Sequence, residues 1–251
     1  AELPCELFLF GSAIYKQGEQ FNNESSDLDI VVIFPEPTSA IARVSFLQRL
    51  GEHKAGLELD MIPALARTSC TVAGSSIVAI TQFELKANIH KSGVRQFFTK
   101  SFFYDLIYKK QIDGLANAGT KALRDEDRYS IEYVQRVRNN FLARSANGSG
   151  GVSAYDGPDP LPKELMRMAA QRLDGLPYGE SFDTRHGLDA ISESLSARKA
   201  EGSEIKDLHK CVSVRRGARG KHPHLSPANQ LLVNELLFDQ ASGENKDQSS
   251  K

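Results

Sequence analysis

The chain has 251 residues, 31 Lys and Arg against 32 Asp and Glu, a formal charge of −1 and a hydrophobic share of 40%. That balance excludes a global basic field for nucleic acid or an anionic membrane, so any polyanion contact must come from a local patch. No apolar run approaches the ~20 residues of a membrane span, the start lacks a signal-peptide pattern, and three scattered cysteines (Cys5, Cys70 and Cys211) show no zinc spacing, so a cytoplasmic protein without a membrane partner is expected.

Cys5 to Phe10 is a short apolar run that ends at Gly11-Ser12, a strand running into a turn. Ser12 to Ser26 is polar, with room for one short helix. Leu28 to Phe34 is a continuous apolar run of strand length, the pattern of a strand buried on both faces, and Pro35 and Pro37 stop it. Thr38 or Ser39 can cap a helix that carries Ile41, Val44, Leu47 and Leu50 at helical spacing, its end bracketed by Gly51 and Gly56. Leu57 to Ile62 reads as a third strand closed by Pro63. Ser76 to Ile80 reads as a further strand and Glu84 to Thr99 as a helix, while Phe102, Phe103, Tyr104, Leu106, Ile107 and Tyr108 form a dense apolar cluster that must pack on something.

From about Arg124 the pattern changes to helices separated by breakers. Tyr129 to Leu142 places Ile131, Val134, Val137 or Arg138, and Phe141 along one stripe. A Gly-, Ser- and Pro-rich loop follows, and then helical patterns over Lys163–Leu173, Thr184–Arg198, Glu204–Val214 and Pro227–Gln240. The expected organisation is an α+β domain over residues 1–115, with a mixed sheet and flanking helices, an all-α bundle over 120–240, and a disordered polar tail over 241–251.

Asp27 and Asp29 stand two apart at the mouth of the second strand, so they point to the same face. If the run Leu57–Ile62 lies beside that strand, Asp60 can join them. Three carboxylates in one place repel unless cations neutralise them, and such hard oxygen ligands suit Mg²⁺ or Mn²⁺. The Gly11-Ser12 turn adds a second element: glycine lets backbone approach a phosphate closely, and the following N–H groups with the Ser12 hydroxyl can cradle its oxygens.

In this order, "LFLFGS…SDLDIVVIF…LELDMI" resembles the DNA-polymerase-β-type nucleotidyltransferase superfamily, over about residues 6–62. The spacer between Ser12 and Asp27 is longer than in many small members. The resemblance implies a nucleotidyltransferase-like fold and metal-dependent, pyrophosphate-releasing transfer of a nucleoside monophosphate from a triphosphate, ATP foremost. Its acceptor would be a hydroxyl of RNA, protein, a nucleotide or a small molecule. It assigns Asp27, Asp29 and Asp60 to the metal and to catalysis, and Gly11 and Ser12 to the phosphates. Lys91 and Arg95, after the third acid, could neutralise the triphosphate.

In the helical half, Arg138-Asn139 resembles the start of the motif of HEPN-type ribonucleases, in which the Arg holds a phosphate and a His follows on the same helix; here Ala143 stands where that His would fall. The resemblance implies a setting of phage defence or toxin–antitoxin pairs, and it leaves open an alternative: a HEPN-type ribonuclease regulated by an N-terminal nucleotide-binding domain. The run from Lys210 to His224, with Arg215, Arg216 and Arg219 among glycines, is a flexible basic loop that could grip RNA or a triphosphate. The oligomeric state stays open, a dimer included.

Overall fold

The structure, a computed structural model, describes residues 5–36, 38–61, 63–65, 74–116, 123, 125–143, 166, 169, 184–196, 203–221 and 226–242. The chain divides into two compact units, residues 1–152 and 153–251. No helix among the described residues is long and apolar enough to cross a membrane.

The first unit is α+β. Its strands are β1 (Glu6–Phe10), β2 (Leu28–Ile33), β3 (Ser75–Ile80), β4 (Phe102–Asp105) and β5 (Lys110–Asp113), with helices α1 (Ala40–Met61), α2 (Gln82–Lys86), α3 (Phe97–Lys100) and α4 (Asp125–Leu142). The five strands form one mixed sheet in the order β3-β2-β1-β4-β5. β2 and β3 are parallel and the other three pairings antiparallel. A parallel pair needs a long crossover, and α1 supplies it. The continuous apolar run of β2 follows from its place between two neighbours: Val31, Val32, Ile33 and Phe34 are all buried. Register sets the faces. Phe8 lies opposite Val31, and Val31 beside Val78, so these share one face with Ile33, Ile80 and Phe103, and Leu85 and Phe98 close that core.

Three expectations are corrected here. The run Leu57–Ile62 is not a strand: helix continues through Met61, and the strand parallel to β2 is β3. Helix α1 starts on Ser39, whose hydroxyl accepts from the Ala42 N–H at 3.3 Å. Its inward stripe runs through Leu47 and Leu50 to Lys54 and Glu58. In the last two turns the buried side chains are this charged pair, Lys54 Nζ to Glu58 Oε1 at 2.7 Å. The same oxygen accepts from the Ser75 N–H and hydroxyl, both at 3.0 Å, and so holds the start of β3. Leu57 and Leu59, which imitated strand alternation, are exposed on the outer side.

Second, Glu84–Thr99 is not one helix. Asn88, Gly93 and Gln96 have φ of 52°, 73° and 64°, which break it into α2, a loop and α3. Asn88 holds its left-handed conformation by accepting from the Phe98 N–H at 2.8 Å and donating to the Thr99 hydroxyl. Third, the boundary expected at 115–124 falls instead near 152: α4 belongs to the first unit, packing on β3 and α1 with Leu142 against Gly51. The apolar cluster at 102–108 resolves into the β4–β5 hairpin.

In the second unit, α5 (Thr184–Ser196), α6 (Ser203–Arg215) and α7 (Pro227–Ser242) pack on one another. Leu188, Ile191 and Leu195 of α5 and Leu208, Cys211 and Val212 of α6 are buried, and α7 is buried on all sides from Asn229 to Asp239. The loop after Leu142, most of the helix expected at 163–173 and the tail from 243 lie outside the described residues.

Candidate active site

At the end of β1, Phe10 is extended (φ −147°), Gly11 takes φ +75°, and a 3₁₀ turn covers Gly11–Ala13 with the Ile14 N–H donating to the Gly11 carbonyl at 3.2 Å. That φ is open to glycine at little cost. Space makes the same demand. A Cβ on Gly11 would run into the Asp29 carboxylate oxygen and stand 3.2 Å from its Cγ. The turn is therefore seated on Asp29, the cross-strand partner of Phe10.

Asp29 shares the face of Val31 and Phe8, at the end where the core gives out. Its carboxyl is pushed up to about 6, first by burial and then by the neighbouring Asp27; Lys91 pulls it partly back. Lys91 feels the reverse: burial lowers its ammonium, and Asp29 and Asp27 raise it again. Asp27, Asp29 and Lys91 thus form one half-buried charge cluster beside the Gly11 turn. Beside Asp29 in the parallel register stands Ser76.

Lys91 belongs to the loop between α2 and α3, and donates a hydrogen bond to Asn139 Oδ1 on α4. Its neighbour His90 is 6% exposed and stacks on Phe97 at 3.9 Å between ring centroids. The Ser92 N–H donates to His90 Nδ1 at 3.3 Å, so the proton of the neutral ring sits on Nε2, which has no hydrogen-bond partner among the described residues. Burial and Lys91 push this imidazole down to about 4.

A family model described as "Pol beta superfamily nucleotidyltransferase in conflict systems" matches residues 1–242. The chain belongs to this family. No curated protein and no solved structure matches it.

The expected site residues, those of the nucleotidyltransferase reading and the possible RNA contacts alike, divide into two groups. Gly11, Ser12, Asp27, Asp29, Lys91 and Asn139 are gathered at one end of the sheet. The others are elsewhere. Asp60 is exposed in the last turn of α1 rather than on a strand beside Asp29, and among the described residues no three His, Cys, Asp or Glu side chains cluster as a metal site. Glu58, on the same turn, holds Ser75 instead. Arg95 is exposed, 4.0 Å from Asp125.

Arg138 does not face solvent as a phosphate contact would. It is fully buried, donating to Glu84 Oε2 at 2.7 Å and to the Ala79 carbonyl at 3.3 Å, with its guanidinium 5.3 Å from the Phe34 ring centre. The HEPN-like reading of Arg138-Asn139 is corrected accordingly: this helix belongs to the α+β unit, and its Arg serves the core. In the second unit Arg215 ends α6, and Arg216 and Arg219 follow it, all exposed, with Arg216 paired to Asp189 of α5.

Two features escaped the sequence reading. Ser76 is the second residue of the short strand β3, and nothing in its composition marks it as the neighbour of Asp29. The grip of α4 on the Lys91 loop was hidden because its residues, Arg128, Gln135 and Arg136, look like an ordinary polar helix face.

Proposed function

We propose that this nucleotidyltransferase moves a nucleoside monophosphate from a nucleoside triphosphate, ATP foremost, to an acceptor hydroxyl and releases pyrophosphate. The observation that carries this reading is the seating of the Gly11 turn directly on the Asp29 carboxylate with Asp27 alongside. Two neighbouring carboxylates, of which Asp27 raises the proton affinity of Asp29, are a donor set suited to Mg²⁺ or Mn²⁺. Asp27 and Asp29 would hold such an ion, which when bound supplies the charge that neutralises phosphate oxygens. The backbone of Gly11–Ala13 and the Ser12 hydroxyl would receive those oxygens, and Lys91 would add its own positive charge.

In this reading the acceptor oxygen attacks the α-phosphorus, its bond to the β-phosphate bridge breaks, and the hydroxyl proton passes to water. Asp60 has no part in it. The acceptor is a hydroxyl of RNA, protein, a nucleotide or a small molecule, and the family's conflict setting favours phage defence or a toxin–antitoxin pair. Labelled ATP and the other triphosphates, incubated with the purified chain and Mg²⁺, are expected to release pyrophosphate. Asp27→Ala with Asp29→Ala is expected to reduce that release by about 100-fold or more. Release that survives the double substitution would overturn the assignment, and mass spectrometry of products from a cell extract would identify the acceptor.

A further inference from the structure

Arg138 and Asn139 are adjacent on α4 but point about 100° apart around the helix axis, and they do different things. Arg138 turns into the core. Asn139 turns to the loop between α2 and α3 and accepts a hydrogen bond from Lys91 Nζ. Three more side chains of α4 donate to backbone carbonyls of that segment. Arg128 reaches Ala87 and Asn88 at 3.5 and 3.3 Å, Gln135 reaches Ile89 at 2.7 Å, and Arg136 reaches Lys91 itself at 3.4 Å. Positions 128, 135 and 139 recur on one helical face, so α4 holds this segment along its length.

The loop is fixed from the other side as well. His90 stacks on Phe97, Phe97 meets Phe10 edge-on at 5.4 Å, and Phe10 is the cross-strand partner of Asp29. Lys91 is therefore suspended between α4 and the Asp29 end of the sheet.

We propose that Asn139 is a positioning residue of the nucleotide site, holding the Lys91 ammonium beside the Asp27–Asp29 pair so that a triphosphate tail meets a cation already in place. The inference rests on the nucleotidyltransferase reading. A lysine stem loses rotamer freedom when its ammonium is fixed. With the tether made in advance, that loss does not weigh on ligand binding. Without it, the ammonium is drawn toward the same carboxylates that a divalent ion must reach.

The test is calorimetric titration of the full chain with α,β-methylene-ATP and Mn²⁺, and separately with AMP. Asn139→Ala is expected to weaken the triphosphate analogue about 10-fold and to leave AMP affinity and the melting temperature unchanged. Asn139→Asp, which keeps the accepting oxygen, is expected to restore most of the affinity. Asn139→Ala combined with Lys91→Ala is expected to bind no more weakly than Lys91→Ala alone, because both remove one interaction. Unchanged analogue affinity in Asn139→Ala, an equal loss for AMP, or additive losses in the double variant would each overturn the inference. A wild-type chain that neither binds the analogue nor releases pyrophosphate from ATP would overturn the enzymatic reading and the inference together; a wild-type chain that does both, with Asn139→Ala indistinguishable from it, would overturn the inference alone.

Discussion

Burial pushes Asp29 up to about 6 and His90 down to about 4, so these two side chains make opposite demands on pH. Between its ordinary value of 3.8 and about 6, folded Asp29 keeps a proton that the unfolded chain has released. The stability it contributes is full below 3.8 and is lost as pH rises through 6. His90 stays neutral in the fold where the unfolded chain, with its ordinary value of 6.5, takes up a proton. Its contribution is present above 6.5 and is lost as pH falls toward 4. In metal-free protein the two slopes oppose each other across roughly pH 4–6. Urea midpoints measured across this range separate them: relative to wild type, Asn at position 29 is expected to make stability climb more steeply with pH, and His90→Gln to make it climb less. Two variants that shift the slope in the same direction would refute the assignment. Gly11→Ala tests the turn. A left-handed φ and a Cβ driven into the Asp29 carboxylate are expected to cost about 2 kcal/mol of stability and to remove pyrophosphate release, read by denaturant unfolding and by the release assay.

At the level of elements, what could be read from the sequence depended on whether the signal was local. β1 and β2 announced themselves by apolar runs ending in Gly11 and Pro35, and the α5, α6 and α7 patterns matched their helices to within two residues. The third strand was misplaced because Leu57, Leu59 and Met61 alternate like a strand, while the inward stripe that marks them as helix ends in the charged pair Lys54 and Glu58. Nothing in the local sequence says that a Lys and a Glu will be buried together against Ser75. The misplaced strand carried Asp60 with it, so the third acid lies on α1, apart from Asp27 and Asp29. The acid pair and the Gly-Ser turn, adjacent in sequence to the strands that carry them, were legible. Arg138 shows the same limit. Its partner Glu84 is far away in sequence and is also the third residue of the Thr81 capping box. Arg138→Met strands the Glu84 carboxylate in the core and is expected to cost about 3 kcal/mol. Adding Glu84→Gln keeps an oxygen for the Thr81 N–H and removes the orphaned charge, so the pair is expected to lose less than the sum of the two single losses. A double-mutant cycle by chemical unfolding decides it; strict additivity would show that the two side chains are not coupled.

At the scale of the whole molecule, composition pointed correctly to an α+β part followed by helices, but the boundary was placed where the pattern changes rather than where packing ends. A switch from strands to helices marks a change of element type, not of cooperative unit. Helix α4 covers β3, puts Arg138 against Glu84 and grips the Lys91 loop, so it is needed by the sheet that precedes it. This yields a prediction about fragments. A chain ending at residue 152 retains the sheet, α1, α4 and the charge cluster, and is expected to unfold in one cooperative transition, with near-ultraviolet circular dichroism reporting fixed aromatic packing around Phe97, Phe98 and Phe103. A chain ending at residue 120 lacks α4. It leaves Glu84 buried without its guanidinium and the backbone carbonyls of Ala87, Asn88, Ile89 and Lys91 without their donors from α4, each an unmet polar demand of about 1–3 kcal/mol. Against a typical total stability of about 5–15 kcal/mol, such losses are large enough to abolish the transition. Equal cooperativity in the two fragments would place α4 outside the folding unit, and would also remove the physical basis for Asn139 as part of the nucleotide site.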